Sequence, residues 1–367
     1  MTYRLVREGL VRARVPAEEK VSREMEVFYN PVMRLNRDVT ILLLRALGEE
    51  RRSRESSWQG WKIGSPLAGT GVRECRFLVE LPASLVREVH ANDYKEGAAV
   101  LIRRNIALNE ESLRCDEIEV ACTEASKFLL ESKGYDYIEL DPFGTPNPFL
   151  DAAVKRLYRY GVLGVTATDT AALAGTYPSA CRRKYWAEPL HNHLMHEVGL
   201  RILVRKVQLV AAQYEKALVP VYAYGKDHYY RVFFRCDRGR QRVKEVLARH
   251  QYLVYDEGSL VARPSATNSV GSGESWAGPL WAGPLWDARL AERVALLNEE
   301  AGWAGNQRFL ATIAAEARFP GLGFVPFNAA RRLGSPVRKE VALRREGVFP
   351  THLMGNAVRV VDVKLLF

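Results

Sequence analysis

From Lys62 to Asp169 the chain alternates short apolar runs with stretches whose apolar positions repeat at helical spacing. Ile63 to Ala68 reads as a strand, followed by the turn Gly69-Thr70-Gly71 and a helix from Val72 to Glu80. Val86 to Ala91 is a second strand ending in Asn92-Asp93, and Lys95 to Leu108 is helical. Ile118 to Cys122 is a third strand with Glu124-Ala125 at its end, and Ser126 opens a short helix. Tyr135 to Leu140 is a buried fourth strand, Phe149 to Tyr160 a helix and Val162 to Thr166 a fifth strand. Strands separated by helices of about 10–15 residues imply βαβ units and a parallel sheet.

His191 to Ala217 has no proline and a single glycine, and its pattern predicts one long amphipathic helix. Val219 to Tyr224 and Tyr229 to Cys236 then flank Gly225-Lys226-Asp227-His228, a four-residue hairpin signal. Five parallel strands, a long helix and an antiparallel hairpin resemble the strand plan of class I S-adenosylmethionine-dependent methyltransferases. That plan is a Rossmann-like α/β fold with a mostly parallel seven-stranded sheet. The domain boundary is therefore placed after Asp237, giving a methyltransferase domain over 1–237 and a smaller α+β domain over 238–367. The second part opens with a helix from Arg240 to Arg249 and a strand from Tyr252 to Tyr255. A Ser-, Gly- and Asn-rich loop follows from Pro264 to Ser275. Trp276 to Trp286 holds Trp-Ala-Gly-Pro-Leu twice and then Trp, too short a repeat for a solenoid. Its Gly-Pro steps predict a packed loop, with stacking on RNA as the other reading.

Residues 140 to 151 read Leu-Asp-Pro-Phe-Gly-Thr-Pro-Asn-Pro-Phe-Leu-Asp, at the C-terminal end of the fourth strand. In open α/β sheets ligands bind at that edge. A carboxylate (Asp141), a carbonyl fixed by proline (Pro142) and an aromatic plate (Phe143) suit one task. They grip an exocyclic base amine by its two N–H groups while the base stacks. An Asp turn capping the strand over a packed Phe would leave the same local trace. The glycine turn after the first strand permits close backbone approach, and the helix behind it offers N–H groups to a ligand carboxylate. Asp93 at the second strand's end is placed to accept ribose hydroxyls, an arrangement common to dinucleotide and S-adenosylmethionine sites. Glu124 and Ala125 at the third strand's end are placed to meet an adenine amine and ring. Four sites in order along one sheet edge are more specific than any one of them.

The five cysteines (Cys75, Cys115, Cys122, Cys181, Cys236) form no Cys-x-x-Cys pair, which points to a reducing cytoplasm rather than a zinc ribbon or disulfide scaffold, with a single bridge such as Cys115 to Cys122 as the other reading. No stretch approaches the length of a membrane span, and the basic N-terminus lacks the apolar core of a signal peptide. The net charge is +10. The last 130 residues carry 18 basic against 12 acidic side chains, the first 237 carry 35 against 31. Arg331, Arg332, Arg338 and Lys339 cluster near the end and are the candidate phosphate contacts.

Several blocks together resemble one family. They are Val27 to Asp38 (Val-Phe-Tyr-Asn-Pro-Val-Met-Arg-Leu-Asn-Arg-Asp), Leu67 to Arg73, Asp141 to Ala153, Val165 to Thr170 and His196 to Leu203. The chain is identified by them as similar to the tRNA (guanine(26)-N2)-dimethyltransferases, in an archaeal-type compact form. The Gly-Pro-Leu-Trp segment and Glu346-Gly347 with Thr351-His352 resemble the family's C-terminal domain. The resemblance implies S-adenosylmethionine as cofactor, tRNA as partner, and neither a membrane nor an obligate protein partner. It implies Asp141 and Pro142 in catalysis, and Phe28 and Phe143 sandwiching the target guanine. It implies Arg37, Gly69, Gly71, Arg73, Asp93, Glu124 and Ala125 around the cofactor. The alternatives are a methyltransferase for another exocyclic base amine in RNA or DNA, and an RNA-binding relative without activity. Two departures stand out. Ser65-Pro66 occupies the place of the family's usual acidic residue before the glycine turn. Tyr252 to Ser275 also lacks the cysteine pairs of many relatives, so no metal is expected.

Overall fold

A computed structural model describes residues 2–17, 25, 27–115, 117–259 and 261–318. Arg331, Arg332, Arg338 and Lys339 lie outside the described residues, as do Glu346 to His352. Packing separates the chain into one compact unit up to Val165 and another from Thr166.

The first unit opens with an antiparallel hairpin of β1 (Tyr3–Glu8) and β2 (Val11–Pro16). It continues through α1 (Arg34–Arg54), β3 (Trp61–Ser65), α2 (Val72–Glu80), β4 (Val86–Asn92) and α3 (Glu96–Ala107). Then come β5 (Glu117–Ala121), α4 (Ala125–Glu131), β6 (Tyr135–Leu140), α5 (Asn147–Arg156) and β7 (Leu157–Ala167). Strand β3 pairs in parallel with β4 and β6, β4 with β5, and β6 with β7. The C-terminal ends of β3, β4, β5 and β6 therefore share one edge. Every residue of β6 is buried, as a strand covered on both faces requires. In β2 the period is two: Val11, Ala13 and Val15 are fully buried against Val72, Cys75 and Val79 of α2, while Arg12 and Arg14 face out.

The second unit contains α6 (Thr170–Leu173), α7 (Pro178–Tyr185), α8 (Met195–Ala212) and the hairpin strands β8 (Lys216–Lys226) and β9 (Tyr229–Arg238). It continues with α9 (Arg240–Leu247), β10 (His250–Asp256), β11 (Val261–Ser265), β12 (Glu274–Trp281), α10 (Ala288–Glu300) and α11 (Ala304–Glu316). The main sheet has the order β5-β4-β3-β6-β7-β9-β8, and β11-β10-β12 form a separate antiparallel sheet.

Several elements differ from their sequence reading. Leu157 to Tyr160 belong to β7 rather than to a helix, because Leu157 already pairs with Tyr135. Tyr160 then takes a positive φ beside Gly161, where a Cβ would lie 2.9 Å from two backbone carbonyl oxygens, and the register shifts there. Helix α8 starts at Met195, after a turn in which Asn192 Oδ1 accepts from Leu194 N (2.8 Å). It ends at Ala212, four residues before β8 begins. The hairpin turn is Asp227-His228 alone, with Asp227 at φ 50°. Part of the Pro264–Ser275 loop is strand, since β11 runs to Ser265 and β12 begins at Glu274.

The first copy of the tryptophan duplication is also strand, because β12 pairs with β10 through Trp281. Trp281 and Trp286 serve the core: Trp281 Nε1 donates to Pro284 O (2.8 Å) and Trp286 Nε1 to Ala223 O (2.7 Å). Arg201, itself buried, donates to the carbonyls of Trp281 (3.0 Å) and Gly283 (2.7 Å). All five cysteines are free.

Candidate active site

The turn after β3 needs its glycines. Gly69 and Gly71 hold φ values of 57° and 74°, left-handed conformations that side chains resist. A Cβ on Gly69 would stand 2.9 Å from the carbonyl oxygen of Phe28, so the Phe28 backbone rests directly on the turn. From the end of β4, Asp93 accepts from Gly69 N with Oδ2 (3.0 Å) and from Lys95 N with Oδ1 (3.1 Å). Burial pushes its carboxyl above the usual range, against the pull of those two N–H groups. Beside it Asn92 is fully buried. Its side chain donates to Pro66 O and Thr123 O and accepts from Thr123 N, all at 3.0 Å. One amide thus ties together the loops that follow β3 and β5.

Glu124 is the N-cap of α4, with Oε1 accepting from Ser126 N (2.9 Å) and Oε2 from Lys127 N (2.8 Å). Burial works against its charge, but those N–H groups more than offset it and the carboxyl sits below its ordinary value. Ala125, next in line, is buried as the first residue of the helix.

At the end of β6 the Asp141 carboxylate is held by Arg73, whose Nη2 donates to Oδ2. Arg73 is itself fixed, donating from Nη1 to Asn36 Oδ1 (2.9 Å) and Thr40 Oγ1 (3.1 Å) of α1, with Glu139 at 3.6 Å. Tyr137 in turn donates to Glu139 Oε2 (2.5 Å). A buried polar network thus runs from α1 through α2 to the end of β6 and fixes one oxygen of Asp141. Pro142 is buried, while Phe143 is 44% exposed. The rings of Phe143 and Phe28 meet edge to face, with centroids 4.2 Å apart and planes at 72°.

The structure therefore brings Phe28, Gly69, Gly71, Arg73, Asp93, Asp141, Pro142 and Phe143 to one sheet edge. Glu124 and Ala125 lie on the same edge, at the start of α4. Arg37 sits differently. Its guanidinium forms a bidentate pair with Glu8 (2.6 Å to each oxygen) and donates to Asn30 O (3.3 and 3.2 Å). Burial of Glu8 is outweighed by Arg37 and Arg76, which hold its carboxyl down at about 2.

Sequence reasoning missed Asn36, Thr40 and Asn92, whose roles arise only from tertiary contacts; Asn36 and Thr40 do lie within or beside a singled-out block. It also missed Glu74 in the first turn of α2. Glu74 is 1% exposed, and its Oε2 makes no hydrogen bond among the described residues, as is also true of Ser65 Oγ. Burial holds the Glu74 carboxyl up at about 7, although Arg73 pulls it down. Among the described residues no group of three His, Cys, Asp or Glu is placed to hold a metal. No described helix is long and apolar enough to cross a membrane.

A family model described as N2,N2-dimethylguanosine tRNA methyltransferase matches residues 9–359. The chain is 41% identical over 254 residues to a tRNA (guanine(26)-N(2)/guanine(27)-N(2))-dimethyltransferase of Aquifex aeolicus, a match covering 68% of this chain and 62% of that relative. It is 37% identical over 294 residues to a tRNA (guanine(26)-N(2))-dimethyltransferase of Thermococcus kodakarensis, covering 75% and 73%. Among solved structures it resembles Trm1 from Pyrococcus horikoshii in complex with S-adenosyl-L-methionine, at 31% identity and a TM-score of 0.77, covering 98% of each chain.

Proposed function

The chain belongs to the N2,N2-dimethylguanosine tRNA methyltransferase family. On that premise we propose that it transfers methyl groups from S-adenosylmethionine to the exocyclic N2 of guanosine 26 in tRNA, ending at N2,N2-dimethylguanosine. The observation that carries this is the Asp141 carboxylate, anchored by Arg73 at the end of β6 beside the Phe28–Phe143 pair. The same sheet edge also suits the cofactor. Gly69 and Gly71 let the turn pack against the Phe28 carbonyl and Ile102, the N-terminus of α2 offers N–H groups for a carboxylate, and Asp93 is an acceptor for ribose hydroxyls. When bound, S-adenosylmethionine supplies an electrophilic methyl on a cationic sulfur.

Guanine N2 is a weak nucleophile because its lone pair is delocalised into the ring. Arg73 holds Oδ2 of Asp141, which leaves Oδ1 to accept one N2–H, and the Pro142 carbonyl accepts the other. Both acceptors favour a tetrahedral nitrogen whose lone pair is available. Asp141 takes the proton as N2 becomes positive. In the second round N2 has a single N–H, so Asp141 keeps its hydrogen bond and the Pro142 carbonyl gives its own up. Phe28 and Phe143 meet edge to face and Phe143 is 44% exposed, so the pair offers an aromatic surface on which a base taken from its helix can stack.

By role we divide the chain after Asp237, with the chemistry in 1–237 and tRNA held by 238–367 through Arg331, Arg332, Arg338 and Lys339. The free cysteines support a cytoplasmic enzyme, and the relatives in Thermococcus and Pyrococcus support the archaeal type. The test is nucleoside analysis of an unmodified tRNA transcript incubated with the chain and S-adenosylmethionine. N2,N2-dimethylguanosine should form, and an A26 transcript should abolish it. Equal methylation of the A26 transcript would move the target elsewhere.

A further inference from the structure

Of the seven tryptophans only Trp186 is exposed, at 52%, and it occupies an unusual place. It caps the C-terminus of α7 with φ 57° and ψ 41°, the left-handed conformation that glycine normally supplies there. A bulky residue in that conformation is an outlier that packing alone rarely selects. The second unit builds a support for it. Lys206 of α8, itself buried, sets Nζ 2.9 Å from the ring centroid, and Arg205 Nη1 donates to the Trp186 carbonyl (3.2 Å). Two residues on, Glu188 exchanges both backbone hydrogen bonds with Gly278, each 2.7 Å.

Helix α7 is fixed from its other face. Cys181 and Tyr185 are fully buried, and Tyr185 Oη donates to Asp169 Oδ1 (2.6 Å). Its outward face carries consecutive cations. Arg182 is paired with Glu188 and Lys184 with Asp169, whereas Arg183 is exposed and has no acidic partner among the described residues. At the helix start Tyr177 is 62% exposed.

We propose that α7 and Trp186 form an RNA-contact surface, in which the open face of Trp186 stacks on an unpaired base and Arg183 meets a phosphate of the same tRNA. The inference rests on the function proposed above. A cation beneath one ring face leaves the other free and electron-poor, which favours stacking on a purine. An aromatic plate beside unpaired positive charge is the usual composition of a single-stranded nucleic-acid surface. In the duplicated pentapeptide Trp281 and Trp286 are buried and hydrogen-bonded inward and Trp276 is half-buried beside Tyr252, so they do not compete for this role.

The experiment measures tRNA affinity of the full chain across salt concentrations for the wild type, Trp186→Gly, Trp186→Tyr and Arg183→Ala, alongside thermal midpoints and S-adenosylmethionine affinity. Trp186→Gly should raise the Kd for tRNA about tenfold, with cofactor affinity unchanged, and Trp186→Tyr should recover most of the loss. Arg183→Ala should flatten the salt dependence by about 0.7–0.9 units of slope. Should Trp186→Gly not fold, Trp186→Tyr and Arg183→Ala decide: wild-type slope in Arg183→Ala overturns the surface. Variants that match the wild type in affinity and slope, on a tRNA the wild type methylates, overturn this surface and leave the enzyme reading intact. A wild-type chain that neither binds nor methylates tRNA overturns both.

Discussion

Asp93 does two things at once at the end of β4. Its two oxygens hold the backbone of Gly69 and Lys95, and through Gly69 it sets the turn on which Phe28 rests. Asp93→Ala should therefore weaken S-adenosylmethionine binding by about 1–3 kcal/mol, the effect of losing charged hydrogen bonds. Calorimetry giving unchanged affinity would remove Asp93 from the cofactor site. Asp93, Asp141 and the glycines were legible in sequence because each follows a strand at the same edge of a parallel sheet. The partners that fix them were not. Nothing local marks Asn92 as the stitch between two loops, or Arg73, expected at the cofactor, as the anchor of Asp141. Those pairings join residues 26 to 68 positions apart.

Helix α2 shows how one element carries both site and stability. Its outer turns bring Arg76, fully buried, onto Glu8, Asp38 and Glu80, and so tie the β1–β2 hairpin to the sheet unit. Its first turn buries Glu74, whose carboxyl is raised to about 7. A raised carboxyl binds more protons folded than unfolded between its two values. Its contribution to stability is thus present below its ordinary value of 4.5 and is lost as the pH rises through about 7. Glu74→Gln should remove that dependence, gaining up to about 3 kcal/mol relative to the wild type between pH 4 and pH 8. Thermal melts at both ends of the range check it, and a constant difference would mean that Glu74 does not titrate in the fold. The length of α2 was readable from its glycine start and apolar spacing. The β1–β2 hairpin was not expected, although Val11-Arg-Ala-Arg-Val15 alternates as a half-buried strand should. The end of α5 was overrun because Leu157 to Tyr160 fit either period, and pairing with β6 decided for strand.

For the whole molecule the net charge of +10 fits a polyanionic partner, and its excess is denser after Asp237. Neutralising Arg331, Arg332, Arg338 and Lys339 together should weaken tRNA binding and flatten its salt slope by roughly one unit for each phosphate no longer neutralised. A slope identical to the wild type would place the phosphate-binding face elsewhere. That the main sheet is mostly parallel with an antiparallel hairpin at its end was legible from the alternation of strands and helices and from the resemblance to class I methyltransferases, while the strand order is set by pairing in space. The division by packing at Val165 was not, since it depends on which segments pack together in space and not on any change of composition.

We propose that Asp141, held by Arg73, accepts the proton from guanine N2. The direct measurement is the single-turnover methylation rate of an unmodified tRNA by Asp141→Asn at saturating S-adenosylmethionine. The substitution keeps the shape and one acceptor oxygen but removes the charge. The rate should fall by at least about a hundredfold, with cofactor affinity unchanged, and the product should contain little N2,N2-dimethylguanosine. Dimethylation at a near wild-type rate would show that Asp141 only shapes the site.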